Sequence, residues 1–336
     1  MTTTAPVNLV QPALSPGVQA LRFARRNPAL VGMPLLLAAA LAATVAIHPD
    51  FGSFDLQSLA LAALPLALAA CGHAVVVISG GIDLSVGSMI SVANVLSGRL
   101  MNDGSFAAAL AWSAVILALG ALQGLMNGLL VRLSRIPDVV VTLTTGFIWG
   151  GVALLIMERP GGGAPPEFLD LAAGTFFTDW IPNALIFLAV AVSAVWIPVV
   201  RSRLGLLIYA TGSDKVAAFR SGVDTDYARL MAYVLSGVYS ALAGISLTMT
   251  TGIGAPLAGT LYTLSGLAAI VIGGVSLSGG KGGMVGPVMA AFLLSLIPTD
   301  LIFLNIDPNY GQVIQGTLIV LVVMAGGFAA AMQANK

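Results

Sequence analysis

Asp83 is the residue best placed to do chemistry inside this chain. It sits in Ser79-Gly80-Gly81-Ile82-Asp83-Leu84-Ser85, between two apolar runs, where lipid rather than water would be its neighbour. A carboxylate at mid-bilayer costs roughly 2.5–3.5 kcal/mol on insertion scales, so it is either kept for ion or proton passage or held by hydrogen bonds. The Ser79 and Ser85 hydroxyls and the glycine N–H groups are suited to hold it, and Asp83 can also cap the helix that follows. Capping and turn structure is the first reading, direct contact with a solute the second. His73 lies in an apolar run with no second ligand at helical spacing, so no metal site is expected. The single cysteine, Cys71, reads as a small apolar packing residue. Gly280-Lys281 is followed by Gly282 where a phosphate-cradling loop needs Ser or Thr, and no strand precedes it. There is no HExxH pair, GxSxG elbow or His/Cys cluster. The chain is therefore expected to bind no cofactor, to hydrolyse no ATP itself and not to be an enzyme.

The elements that must position Asp83 belong to a membrane bundle. Of the 336 residues 58% are hydrophobic and only 8% charged, against about 25% charged in a soluble domain whose surface faces water. Lipid is its main solvent. The 14 basic and 14 acidic residues cancel, which gives no reason to expect a nucleic-acid partner. A crossing takes about 20 apolar residues at 1.5 Å each. Stretches free of Asp, Glu, Lys and Arg run 27–49, 56–82, 84–98, 104–131, 139–157, 180–200, 230–280, 282–299 and 308–335. The 230–280 run is long enough for two crossings and is interrupted at Gly252-Ile253-Gly254-Ala255-Pro256. The expected fold class is thus all-α, a polytopic membrane helical bundle with about ten transmembrane helices.

Basic residues mark the cytoplasmic side of such a bundle. With ten spans and both termini cytoplasmic, every Lys and Arg except Arg99 and Arg159 falls inside. The expected organisation is a cytoplasmic tail over 1–26, one transmembrane domain over 27–331 and a cytoplasmic tail over 332–336. Arg22, Arg25 and Arg26 precede an apolar run opening at Pro28, which reads as an uncleaved first span rather than a signal peptide. Residues 158–179, with Pro160-Gly161-Gly162-Gly163-Ala164-Pro165-Pro166, read as an external loop.

Helices in lipid pack through small residues, and Gly120, Gly124 and Gly128 share one helical face suited to that. The 79–85 turn and the 273–283 glycine run each separate two spans with almost no hydrophilic loop. Two readings stand side by side for them: irregular backbone lining or gating a polar route, or tight helical hairpins. Pathway candidates are Asp83, Ser85, Asn94, Asn127, Thr142, Thr145 and Phe147, polar or aromatic groups on spans. The long charged segment 201–229 predicts a short helix near 214–221, with Ser213 or Asp214 as cap and Gly222 as stop. Val216, Ala217, Phe219 and Arg220 would present an apolar knob edged by charge, either a docking element for another protein or a plain surface loop.

These motifs, in order, are similar to the permease subunits of ribose-type ABC importers. The match runs through Ser79-Gly80-Gly81-Ile82-Asp83-Leu84-Ser85-Val86-Gly87-Ser88, then Gly124, Asn127 and Gly128, then Ile136-Pro137 with Val140-Val141-Thr142-Leu143. It continues through Ile208-Tyr209-Ala210, Gly212, Asp214, Ala217-Ala218 and Ser221-Gly222-Val223, and through the glycine run 272–286. The resemblance implies import of a monosaccharide or related polyol across a bacterial inner (cytoplasmic) membrane. It implies a second permease copy or a paralogue, a periplasmic solute-binding protein, and an ABC ATPase subunit on which ATP and Mg are bound. It makes 201–229 the cytoplasmic coupling segment, with Gly212, Asp214, Ala217, Ala218, Phe219, Arg220 and Gly222 as ATPase-coupling residues. Asp138 departs from the family pattern, where Pro or a small residue is usual, as do Pro287, Thr211, Ser213 and Asp214. The competing class is a stand-alone ion-coupled secondary carrier, for which charged pairs within the spans would be expected.

Overall fold

The computed structural model describes residues 28–318, 320, 321 and 324; the expected tails and the end of the last apolar run lie outside the described residues. Helix α1 covers Pro28–Ile47, α2 Ser53–Ile78, α3 Val86–Leu100, α4 Phe106–Ser134 and α5 Asp138–Ile156. A short α6, Pro166–Ala173, leads into a two-stranded antiparallel hairpin, β1 Thr175–Phe176 and β2 Thr178–Pro182. Then come α7 Asn183–Val200, α8 Arg203–Ser213, α9 Lys215–Arg220 and α10 Thr225–Thr251. A 3-10 turn at Ala258–Thr260, α11 Leu261–Ile272 and α12 Val285–Phe303 follow, with a further helical stretch over 310–318.

Among the described residues the bundle is all-helical apart from that hairpin. Six helices among these residues, α2, α4, α5, α7, α10 and α12, are long and apolar enough to cross a membrane; the stretches 31–47 and 258–272 are shorter apolar helices. Helix α3, at 15 residues, rises about 22 Å and falls short of a hydrocarbon core of about 30 Å. The 158–179 segment, expected as an external loop, carries α6 and the start of the hairpin.

Helix α10 is the axis, with α2, α3 and α4 all packed on it. The Gly120–Gly124–Gly128 face of α4 makes one of these contacts. A Cβ at Gly120 would stand 2.5 Å from the Gly237 carbonyl oxygen, and one at Gly124 would overlap the Tyr233 carbonyl. Only glycine allows two backbones to approach so closely, and lipid-facing packing gains its energy from that approach. Away from α10, α12 packs against α1, α2 and α11.

The interruptions sort to two ends of the bundle. At one end Arg132 pairs with Asp226 at 3.4 Å, Arg229 pairs with Asp138, and the Gly280 N–H donates to the Ile78 carbonyl at 2.9 Å. At the other, Arg99 donates to the Ile156 carbonyl and His48 stacks on Phe303 at 4.2 Å. There Gly161 and Gly254 exchange two backbone bonds of 2.9 Å, and the Gly163 N–H donates to the Gly98 carbonyl at 2.8 Å. Segments that the charge pattern assigns to one side thus share one end.

Candidate functional site

The polar interior is built on one face of α10. Arg229, Tyr233 and Ser236 recur at spacings of four and three, which stacks them along a helix. Ser236 Oγ donates to Asp83 Oδ2 at 3.0 Å, and the Ser85 N–H donates to Asp83 Oδ1 at 3.0 Å, with the Ser85 hydroxyl on the same oxygen. The Trp149 indole N–H reaches Asn127 Oδ1 at 3.4 Å, and Asn127 Nδ2 donates to Ser85 Oγ at 2.6 Å. Every donor in this chain points toward Asp83, which ends it as an acceptor. Asp83 is 1% exposed, so three donated bonds offset a desolvation that would otherwise be prohibitive. The α3 N-cap is Ser85, without a side-chain cap bond. The expected capping role of Asp83 is therefore replaced by a turn lock: its carboxylate binds its own turn and α10.

One turn nearer the basic end, Asp138 accepts from Arg229, the two side chains being 16% and 20% exposed. The Tyr233 hydroxyl stands 3.0 Å from Asp138 Oδ2 and 3.3 Å from the Ile82 carbonyl oxygen, so its single proton serves one of them at a time. Thr142 Oγ1 donates to the Asp138 carbonyl at 2.8 Å and accepts from the Leu84 N–H at 3.0 Å. The turn 79–85 is thus held by α4, α5 and α10 together.

The remaining pathway candidates divide. Asn94 is fully buried, reaching Thr248 Oγ1 at 2.8 Å and accepting from the Ala255 N–H at 2.7 Å, so it braces the break after α10. Thr145 donates to the Thr142 carbonyl at 3.1 Å inside α5. Phe147 is 75% exposed. It walls a groove of about 420 Å³ between α3, α5 and the 257–260 turn, with Ser88, Gly146, Gly150, Leu257 and Thr260. Asp83, Ser85, Asn127 and Thr142 come together; Asn94 and Phe147 stand apart. Sequence reasoning did not single out Arg229, Tyr233, Ser236, Ser88 or Thr260, although the polar stripe along α10 was a usable signal for the first three. His73 is fully buried, and its ring nitrogens have no partner among the described residues. No group of His, Cys, Asp or Glu suited to a metal ion occurs among the described residues.

The coupling candidates form a corner. Asp214 ends α8 and caps α9, accepting from the Val216 and Ala217 N–H groups at 2.9 Å each, and Gly222 follows with φ +82°. Val216 and Phe219 are 60% and 71% exposed, whereas Ala218 is buried. The exposed knob is therefore Val216, Ala217, Phe219 and Arg220, with Ala218 on the inner side. Beside it Lys215, Val216, Phe219 and the 222–226 turn line an open cleft of about 600 Å³. Gly212 lies inside, against Ile78 and Gly280.

What the geometry offers among the described residues is a locked polar joint, an open groove and an exposed apolar knob. Residues 56–323 match the family described as branched-chain amino acid transport system / permease component. The D-allose transport system permease protein of Escherichia coli strain K12 is 32% identical over 255 residues, covering 75% of this chain and 77% of the relative. The ribose import permease protein of the same strain is 31% identical over 261 residues, 77% and 81% of the two chains. The autoinducer 2 import system permease protein of Salmonella choleraesuis is 33% identical over 316 residues, 89% and 88%. No solved structure matches the chain. A family match over most of the length and relatives of this similarity lead to one conclusion: the chain belongs to the permease-component family of branched-chain-amino-acid-type transport systems.

Proposed function

We propose that the chain is the membrane-spanning permease subunit of an ATP-binding cassette importer for a monosaccharide or related polyol. It acts in the bacterial inner membrane and is fed by a periplasmic solute-binding protein. A separate ATPase subunit, which binds ATP and Mg, supplies the energy. The full topology is about ten crossings, with 1–26 and 332–336 on the cytoplasmic side. A second copy, or a paralogue, faces the groove walled by Phe147, and the solute passes along that shared face by Ser88 and Thr260. The relatives named for ribose, allose and autoinducer 2 support a small polyhydroxylated cargo. They favour the importer over a stand-alone ion-coupled carrier. The absence of a phosphate-cradling loop leaves ATP hydrolysis to the partner.

The observation that carries this reading is the capped helix α9, which turns Val216 and Phe219 out beside an open cleft at the basic end of the bundle. Large apolar side chains held in water mark a docking site. In Val216→Asp with Phe219→Asp, co-purified ATPase is expected to fall at least about tenfold, the consequence of losing two apolar anchors, while the permease accumulates normally in the membrane. Retention of the ATPase at the wild-type level by this double variant would refute the docking assignment. Concentrative sugar uptake into liposomes by the chain alone would refute the importer.

A further inference from the structure

We propose that Tyr209 is a positioning residue for energy coupling, and that the backbone contact at Gly212, a coupling residue by the resemblance, carries any displacement of the ATPase-docking helix into both glycine-rich turns of the bundle at once. The inference rests on the importer reading above and extends it to how the stroke enters the membrane.

Three backbone segments meet at Gly212 with no side chain between them. A Cβ on Gly212 would overlap the Ile78 carbonyl and stand 2.7 Å from the Gly280 nitrogen. A Cβ on Gly279 would stand 2.6 Å from the Gly212 oxygen and 3.1 Å from the Gly80 Cα. The Gly280 N–H donates to the Ile78 carbonyl at 2.9 Å, joining the end of α2 to the 273–283 turn directly. Close-packed backbone does not compress, so a shift of one segment must move the others.

Both partners of this knot lead somewhere. The 79–85 turn carries Asp83 and opens α3, which lines the groove through Ser88. The 273–283 turn opens α12. On the input side, Asp214 alone separates α8 from α9 and caps both, so the docking knob and Gly212 form one rigid corner. Tyr209, one turn before Gly212, adds a side-chain tie. Its hydroxyl donates to the Gly282 carbonyl at 2.7 Å, and its ring lies 6.4 Å from that of Trp196 on α7. Partial burial pushes its phenol above the ordinary value. A small polar cavity of about 280 Å³ beside the knot, lined by Ser79, Thr211 and Ser278 among others, leaves room for it to shift.

The test uses the whole importer, permease with ATPase and binding protein, in liposomes, and reads sugar moved per ATP hydrolysed. Tyr209→Phe removes one hydroxyl and is expected to lower that ratio about threefold, with the ATPase retained on the permease. Gly212→Ala forces the knot apart and is expected to lower the ratio at least about tenfold. A merely structural role would reduce yield or melting temperature and leave the ratio of surviving complexes unchanged, and that result overturns the inference. Where Gly212→Ala does not accumulate, Tyr209→Phe alone decides by the same criterion. Should the wild-type chain fail to hold an ATPase at all, the importer reading falls, a result separable from a wild-type ratio in Tyr209→Phe.

Discussion

The two glycine-rich turns begin alike and end differently. Gly80-Gly81-Ile82-Asp83-Leu84-Ser85 and Gly273-Gly274-Val275-Ser276-Leu277-Ser278 share their pattern of glycines, apolar residues and a closing serine. They part at the fourth position, Asp83 against Ser276. The first turn is gripped by Ser236, Tyr233, Asn127 and Thr142, side chains from α10, α4 and α5. The second is held mainly by main chain, with a side-chain tie from the Tyr209 hydroxyl to the Gly282 carbonyl: the Ser276 N–H donates to the Lys281 carbonyl at 3.1 Å, and Leu277, Ser278, Lys281 and Gly282 are exposed. Four of its glycines, at 274, 279, 280 and 282, have positive φ. A single carboxylate can recruit donors from several helices because an unpaired one is so costly there. A turn without it needs no such grip. The pair teaches that Asp83 makes its turn a fixed joint, while the Ser276 turn is the compliant one.

The contrast is open to direct attack. The largest effect is expected from Asp83→Ala, which strips the common acceptor from two hydroxyls and an N–H and should cost about 3–5 kcal/mol. The purified permease would melt far below wild type in detergent or fail to accumulate, and Asp83→Asn, which keeps the shape and an acceptor oxygen, should recover much of the loss. A wild-type melting curve for Asp83→Ala would end the idea of a fixed joint. Next comes Arg229→Met, which leaves Asp138 with the Tyr233 hydroxyl alone. Because the pair is partly exposed, the expected cost is about 1–3 kcal/mol, below that for a fully buried ion pair. Adding Asp138→Asn to Arg229→Met should return at least half of it, and a double-mutant cycle without coupling would remove this pair from the joint. Thr142→Val takes the acceptor from the Leu84 N–H and should cost about 1 kcal/mol, visible as a small drop in melting temperature. The smallest change belongs to the other turn: Ser276→Ala should stay within about 0.5 kcal/mol of wild type. A loss there as large as that of Thr142→Val would erase the distinction.

Much of the scaffold was legible in the chain's unbroken apolar runs. The charge-free stretches locate α2, α4, α5, α7 and α12, since lipid leaves no other place for such runs, and the break at Gly252–Pro256 falls where α10 ends. Asp214 and Gly222 bracket α9 because a cap and a left-handed stop are local chemistry. Contacts between distant segments were less legible. Ser236 lies 153 residues from Asp83 and Arg229 lies 91 from Asp138, and no local spacing reveals such partners. Asp83 looked like a cap and turn residue because its nearest neighbours are a turn and a helix; the structure gives one of its oxygens to its own turn and the other to Ser236 on α10. Phe147 and Asn94 have similar standing as polar or aromatic residues on spans, yet one faces the groove and the other a buried break. Helical periodicity did not separate them, because the helix that carries Phe147 is apolar nearly all round and leaves little record of which side is turned inward.

At the end of the bundle away from α9, the chain is laced glycine to glycine, with Gly161 on Gly254 and Gly163 on Gly98. Three distant stretches of polypeptide therefore share one seam made of amides, braced beside Gly254 by the Asn94 side chain. Any widening of that mouth must either unzip those bonds together or carry all three stretches as a single flap. Deuterium uptake at Gly161, Gly163 and Gly254 would distinguish the two: synchronous exchange during turnover marks unzipping, and lasting protection marks the flap.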